Sequence, residues 1–372
     1  MIPRWLLLAF LLSSVPLRAA AQTEPHEEYM RAHILEILSE TSEEFAGIDR
    51  TVQIVRMEII SGPDDGEIFE LENGILQDRA DMRLRQGETI VMRKLVKSDG
   101  TSEYLIAEKY RLPSLFWLSA FFLLLVFLFS GWTGLRSITG LLLSIGILAL
   151  FVVPKIAACA NPLLISLAGS FAIACTSLYL AHGFHRRTTV ALASTLLTLA
   201  ISVLLAVVFV HFAKLFGMGT EESMFLQMGQ LQVINLRGLL LGGIIIGCLG
   251  VLDDVTTAQT AAIDEIRKAN PTLSNQQLLR AGFSVGKEHI ASLINTLALA
   301  YAGASLPLLL IFSLPDDYPL WVLLNSEFIS EEIIRTLVGS ATLLFAVPIS
   351  TVLAVTFLHG EETNGHGHTH RH

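Results

Sequence analysis

The sequence predicts an α-helical polytopic membrane protein, with about seven transmembrane helices preceded by a small N-terminal all-β extracytoplasmic domain. Hydrophobic residues make up 52% of the 372 and charged residues only 16%, more apolar than a soluble domain that must present a polar surface to water. Seven apolar stretches follow residue 112, each close to the roughly 20 residues that cross a hydrocarbon core. Charge is segregated as well: residues 22–112 hold 20 Asp and Glu against 11 Lys and Arg, whereas the rest balances at 14 against 14. The whole net charge of −9 therefore falls on one segment. An acidic segment is a poor match for nucleic acid, which leaves the lipid bilayer as the first partner the composition implies.

Residues 1–21 read as a secretory signal peptide, with Arg4 as the n-region, an apolar run from Trp5 to Leu12 and an Ala19-Ala20-Ala21 cleavage site. An uncleaved signal anchor is the alternative, and either form exports residues 22–112. Within that domain, short β-rich runs over Thr51–Ile60, Glu67–Leu71, Thr89–Val96 and Tyr104–Ala107 alternate with turn signals at 61–66, 73–74, 86–87 and 98–100. This rhythm predicts a small antiparallel barrel or sandwich. Ala32–Leu38 reads as a further strand, although Met30, His33, Ile34, Ile37 and Leu38 also fit one helical face. Cys159, Cys175 and Cys248 all fall in apolar stretches, so the exported domain has no disulfide framework and the thiols read as packing residues.

The helical domain, 113–358, is expected to cross at Leu115–Gly134, Ile138–Ala157, Leu163–His182, Val190–Phe212, Leu236–Leu252, Ile290–Leu314 and Ile334–Phe357. With the first domain outside, the C-terminus lies in the cytoplasm. Loop charge agrees: the inner loops hold Arg136, Arg186, Arg187, Arg267, Lys268, Arg280 and Lys287, the outer ones Lys155, Lys214, Arg237 and Arg335. An outer loop with Asp316, Asp317, Glu327, Glu331 and Glu332 reads as a solvated acidic surface.

Chemistry concentrates in one cytoplasmic loop, 253–289, and the span after it. Asp253 and Asp254 meet the apolar end of the fifth span beside Thr256. Carboxylates at a membrane face are costly to desolvate unless solvated, paired or bound to a cation. A cap for the next helix needs one carboxylate, and there are two. That helix carries Val255, Ala258, Ala262, Ile263 and Ile266 on one face and an Asp264–Lys268 pair on another. Asn270-Pro271 ends it, and a second helix starts at Ser274 and runs through Gly286, where the backbone has freedom to bend. Lys287, Glu288 and His289 then read either as an anchoring charge cluster or as a site facing Asp253 and Asp254. In the sixth span, Ser292, Asn295, Ser305 and small residues recur at helical steps, a packing pattern. Asn295 stands apart, because its amide requires partners in hydrocarbon.

The C-terminal tail, 359–372, places His366, His368, His370 and His372 on alternate residues. Neutral imidazoles in that pattern bind transition metals weakly, and a disordered tail with incidental affinity is the competing reading. The chain contains no phosphate-binding Gly-rich loop ending in Lys-Ser/Thr, no Gly-x-Ser-x-Gly and no His-Glu-x-x-His. No nucleotide cofactor or enzymatic activity is implied.

Gly250-Val251-Leu252-Asp253-Asp254-Val255-Thr256, Gly286-Lys287-Glu288-His289-Ile290-Ala291-Ser292 and Asn295-Thr296-Leu297-Ala298-Leu299-Ala300-Tyr301-Ala302-Gly303 resemble the YibE/F family of bacterial membrane proteins. The resemblance runs from the β-domain through Arg111 and the spans to about Leu310. Where the family's second motif reads Gly-Arg-Asp, this chain has Gly286-Lys287-Glu288, which keeps both charges and loses the guanidinium fork. The resemblance implies an integral protein of the bacterial cytoplasmic membrane and assigns no activity.

Two function classes follow. One is a secondary transporter or exporter of a small solute or ion, with Asp253 and Asp254 binding a cation or proton; Thr256, Lys287, Glu288 and His289 lie beside them, and Asn295, Thr296 and Tyr301 along the path. The other is a non-catalytic envelope assembly or scaffold protein whose exported domain binds a protein partner.

Overall fold

The computed structural model describes residues 26–45, 48–76, 83–96, 101–228, 233–310 and 319–358. The signal segment, the 98–100 turn, Asp316, Asp317 and the histidine tail lie outside the described residues. The chain divides into two compact units, one holding the strands and the helix start up to Phe129, the other running from Ser130 onward.

Among the described residues, five strands make one antiparallel sheet: β1 (His26–Phe45), β2 (Ile48–Ser61), β3 (Ile68–Leu76), β4 (Thr89–Val96) and β5 (Ser102–Lys109), in the order β3-β2-β1-β4-β5. Alternation decides the register. Met30, Ala32 and Ile34 of β1, Val55, Met57 and Ile59 of β2, and Ile90 and Met92 of β4 share one core with Leu84, as period-two side chains must when one face is buried. Ala32–Leu38 is therefore strand, and the helical face is not used.

Two expectations are corrected. Among the described residues β3 and β5 are unpaired edges, so the sheet is an open half-barrel, neither closed nor a two-layer sandwich. Three register shifts along β1 bend the sheet without closing it. Asn73-Gly74 lies inside β3, opposite Gln53 and Val52, because the β2–β3 ladder continues past it. The 61–66 turn forms as expected, with Gly62 and Gly66 at φ of 114° and 87°. It is tied down by Asp64, whose Oδ2 accepts from Lys94 Nζ at 2.6 Å and from the Tyr104 hydroxyl at 3.1 Å.

The helical part comprises α1 (Leu112–Ile147), a π turn (Leu148–Val152), α2 (Val153–Ala157), α3 (Pro162–His182), α4 (Arg186–Phe212), α5 (Glu221–Met228), α6 (Leu236–Ala269), α7 (Asn275–Ala304), α8 (Leu306–Leu309), α9 (Leu320–Asn325) and α10 (Glu327–Phe357). Among the described residues, five helical runs are long and apolar enough to cross a membrane: Leu112–Ala157, α3, α4, α6 and α10. The first two expected spans lie in the one run Leu112–Ala157, interrupted where Gly131 leaves helical geometry at φ 55°, ψ −142°. The expected sixth span starts inside α7, whose first half is polar, and its apolar half stops at Ala304.

Helix α6 is the centre of the second unit. Ile245, Leu249, Leu252 and Val255 pack with Ile173, Ala174 and Leu178 of α3, Leu192 and Leu199 of α4, and Leu343, Ala346 and Val347 of α10. Gly242 brings α3 close, since a Cβ there would lie 2.3 Å from Ser166 Oγ. Helix α6 runs unbroken through Asp253 and Asp254, so neither caps a helix. It ends at Ala269, just before Asn270-Pro271, and α7 opens on a capping box in which Ser274 Oγ accepts from Gln277 N at 3.3 Å and Gln277 Oε1 from Ser274 N at 2.9 Å. Helix α7 does not bend at Gly286. Its missing side chain instead allows close packing, because a Cβ there would lie 2.2 Å from Val347 Cγ1 and 3.2 Å from Gln259.

Candidate functional site

Successive helical residues point about 100° apart, which separates the two carboxylates. Asp254 is exposed, whereas Asp253 turns toward α3, where its Oδ2 accepts from Ser177 Oγ at 3.0 Å. Asp253 Oδ1 is buried without a hydrogen-bond partner among the described residues. Thr256, three residues on, is fully buried, and its hydroxyl meets that of Thr195 on α4 at 2.6 Å. Thr257 Oγ1 and Thr260 Oγ1 are also buried and unpartnered among the described residues.

Around this face a polar seam runs through the bundle. Gln259, 1% exposed, donates from Nε2 to Gly282 O and to Thr351 Oγ1, both at 2.8 Å, joining α6 to α7 and α10. Ser202 of α4 accepts from Thr342 of α10 at 3.0 Å. At the far end of α6, Asp264 pairs with Lys268 at 2.7 Å, as its spacing predicts, and with Arg187 of α4 at 3.8 Å. A narrow crevice lined by Leu178, His182, Arg187, Thr188, Ala191 and Thr257 lies between that ion-pair cluster and the Asp253 face.

The other predicted residues are placed apart from this face. Lys287 and Glu288 are exposed and His289 half-buried, and among the described residues no ion pair joins them to Asp253 or Asp254. Asn295 and Thr296 are exposed, Thr296 Oγ1 donating to Ser292 O at 3.0 Å. Tyr301 is half-buried, with its hydroxyl toward Gly247 of α6. The four tail histidines lie outside the described residues. Ser177, Thr195, Gln259 and Thr351 are the residues that sequence reasoning passed over. Hydroxyls in apolar helices read as packing, and what selects these is contact with α6: Ser177, Thr195 and Thr351 meet Asp253, Thr256 and Gln259 of that helix from α3, α4 and α10.

The acidic loop corrects a further expectation. Glu327 Oε1 accepts from the backbone N–H of Phe216, of Gly217 at 2.8 Å and of Met218 at 3.3 Å, while Glu331, 3% exposed, accepts from Gly219 N at 2.9 Å. These two carboxylates are structural acceptors for a loop of α10's neighbour, where a solvated surface was expected.

A bundle of long apolar helices around a largely sequestered carboxylate, joined to a separate all-β unit, defines an integral membrane protein. Residues 118–360 match the model of the YibE/F-like protein family, well over half the chain, and this chain belongs to that family. The match starts after the sheet and runs past Leu310, so the β-domain is outside it. No curated protein and no solved structure matches the chain significantly.

Proposed function

We propose that this chain is a secondary transporter of a small solute or ion in the bacterial cytoplasmic membrane, crossing it seven times with the β-domain outside and the C-terminus inside. One unit of positive charge is taken up and released at Asp253. The supporting observation is the Asp253 carboxylate itself: one oxygen is held by Ser177, and the other is buried on the central helix without a hydrogen-bond partner among the described residues. A buried carboxylate without a fixed counter-charge is costly, and exchange of a cation or proton is the chemistry that uses such a group. Asp254, exposed on another face, has no part in the step.

The test begins with a thermal-stabilisation screen of solutes against the purified full-length protein, followed by flux of the stabilising solute in proteoliposomes. Asp253→Asn keeps the shape and removes the charge. It is expected to lower ion-coupled flux by at least about 10-fold, a loss typical of altering a site's polar shell, with Asp254→Asn close to the parent. Equal flux in both variants overturns the assignment.

A further inference from the structure

We propose that the buried strip of α6 that holds Asp253, Thr257 and Thr260 binds and conducts a monovalent alkali cation of sodium size. This deepens the transport reading by naming its coupling ion, and rests on it only for the ion's role.

The spacing comes first. Residues 253, 257, 260 and 264 are separated by four, three and four positions, so their side chains share one face of α6 over about 16 Å of axis. Next come the atoms. Asp253 Oδ1, Thr257 Oγ1 and Thr260 Oγ1 are all buried and unpartnered among the described residues, and Thr260 is 0% exposed. Of the buried hydroxyls elsewhere in this bundle, Ser170 Oγ on α3 is likewise unpartnered among the described residues, but four others behave differently. Ser194, Thr198, Thr342 and Ser350 fold back onto the carbonyl one turn before, at 2.8, 2.8, 2.7 and 2.7 Å, the usual resolution for a buried hydroxyl in a helix. Thr257 and Thr260 make no such bond among the described residues, and their spacing puts them on the carboxylate's face of α6.

Charge selects the ligand. Among the described residues no three His, Cys, Asp or Glu side chains converge, and Asp253 is the one carboxylate on the buried part of the strip. A single negative charge with neutral oxygens balances a monovalent ion, while a divalent ion would keep an uncompensated charge in a dry site. A proton would need the carboxylate alone. A row of neutral oxygens at one-turn steps supplies what a metal cation must have in exchange for its hydration shell. The crevice lined by His182, Arg187, Thr188 and Thr257 leads from the exposed end toward the strip and is too narrow for water as it stands. The Arg187–Asp264 pair joins α4 to α6 at that end, with Arg187 also lining the crevice.

The experiment measures thermal unfolding of purified full-length protein in NaCl, KCl and choline chloride at equal ionic strength. Sodium is expected to stabilise saturably over choline. Its apparent affinity should fall at least about 10-fold in Thr257→Val and in Thr260→Val, vanish in Asp253→Asn, and stay unchanged in Ser350→Ala and Asp254→Asn. Thr257→Ser, which restores the oxygen, should bind sodium like the parent even if a valine variant fails to fold. No sodium effect beyond choline, or an effect that Thr257→Val and Thr260→Val both leave intact, overturns the proposal. Sodium binding that follows this pattern without solute flux upholds the site and rejects the transport reading. Solute flux that runs on a pH gradient and ignores sodium rejects the site and keeps that reading.

Discussion

Gly217 shows what a single atom decides in this bundle. Its φ is +85°, and a Cβ there would lie 2.3 Å from the Leu236 carbonyl oxygen, a backbone atom that cannot swing aside. The tight approach points the amides of Phe216, Gly217 and Met218 at Glu327. Gly217→Ala is expected to destabilise the helical unit by about 3 kcal/mol, from left-handed backbone strain together with the clash. Gly243→Ala, exposed in α6 with open space around its Cβ, should be neutral or slightly stabilising. Thermal unfolding of both variants checks the contrast, and equal losses would refute it. None of this was legible in the sequence. Glu327 and Glu331 read as solvated charges because their acceptors' partners are backbone N–H groups, which carry no residue signature. Asp253 was legible as a costly carboxylate, and its separation from Asp254 follows from helix geometry once the helix is known to continue.

At the scale of elements, the sequence marks chain breaks made by covalent chemistry and misses continuities made by packing. Asn270-Pro271 and the Ser274 capping box end and start helices where they are expected to. Asp253-Asp254 was read as a boundary, yet Leu249, Leu252, Val255, Gln259 and Ile263 keep one buried three- and four-residue rhythm straight through it. Gly286 was read as a place where α7 has freedom to bend, but the helix continues through it, and Gly282 and Gly286, one turn apart, admit Ile263 and Val347 at 2.2 Å from their Cβ positions, which lets α7 pack closely on α6 and α10. The run Leu112–Ala157 poses the opposite question. Its 46 residues would extend about 69 Å as one helix, more than twice the hydrocarbon thickness. The break at Gly131 is the place for two crossings to divide. Native Cys159, exposed just after the run, is the reporter. Two crossings put it on the same side of the membrane as the 61–66 turn, one crossing on the opposite side. A membrane-impermeant maleimide applied to intact cells should label both Cys159 and an Asp65→Cys variant, with half-buried Cys175 and buried Cys248 replaced by alanine. Labelling of Asp65→Cys without Cys159 would refute the seven-crossing arrangement.

For the whole molecule, two units with different solvents should respond differently to acid. The helical unit draws its stability from apolar packing, while the sheet adds a polar clasp at its rim: Asp64 holding Lys94 and Tyr104. That the strands would alternate and pair was legible from their period. That β3 and β5 would stay open edges was not, since closure depends on the curvature that bulges in β1 impose. The clasp itself joins residues 30 and 40 positions apart and had no local signal. The hydrogen bond from Lys94 is the largest influence holding the Asp64 carboxyl below its ordinary value of 3.8, with that from Tyr104 adding to it against the opposing effect of burial. A carboxyl depressed on folding contributes stability that is complete above its ordinary value and disappears as pH falls through the folded one. Lys94, raised above 10.5 first by its bond to Asp64, keeps its contribution through neutral pH and loses it only as pH rises through that elevated value. Asp64→Asn is therefore expected to cost the sheet about 1 to 2 kcal/mol at pH 7 and progressively less below pH 3.8. Because other carboxylates titrate in the same range, the readout is the difference between parent and variant in thermal unfolding followed by strand circular dichroism. A difference that stays constant from pH 7 to pH 2 would show that Asp64 contributes no charge-dependent stability.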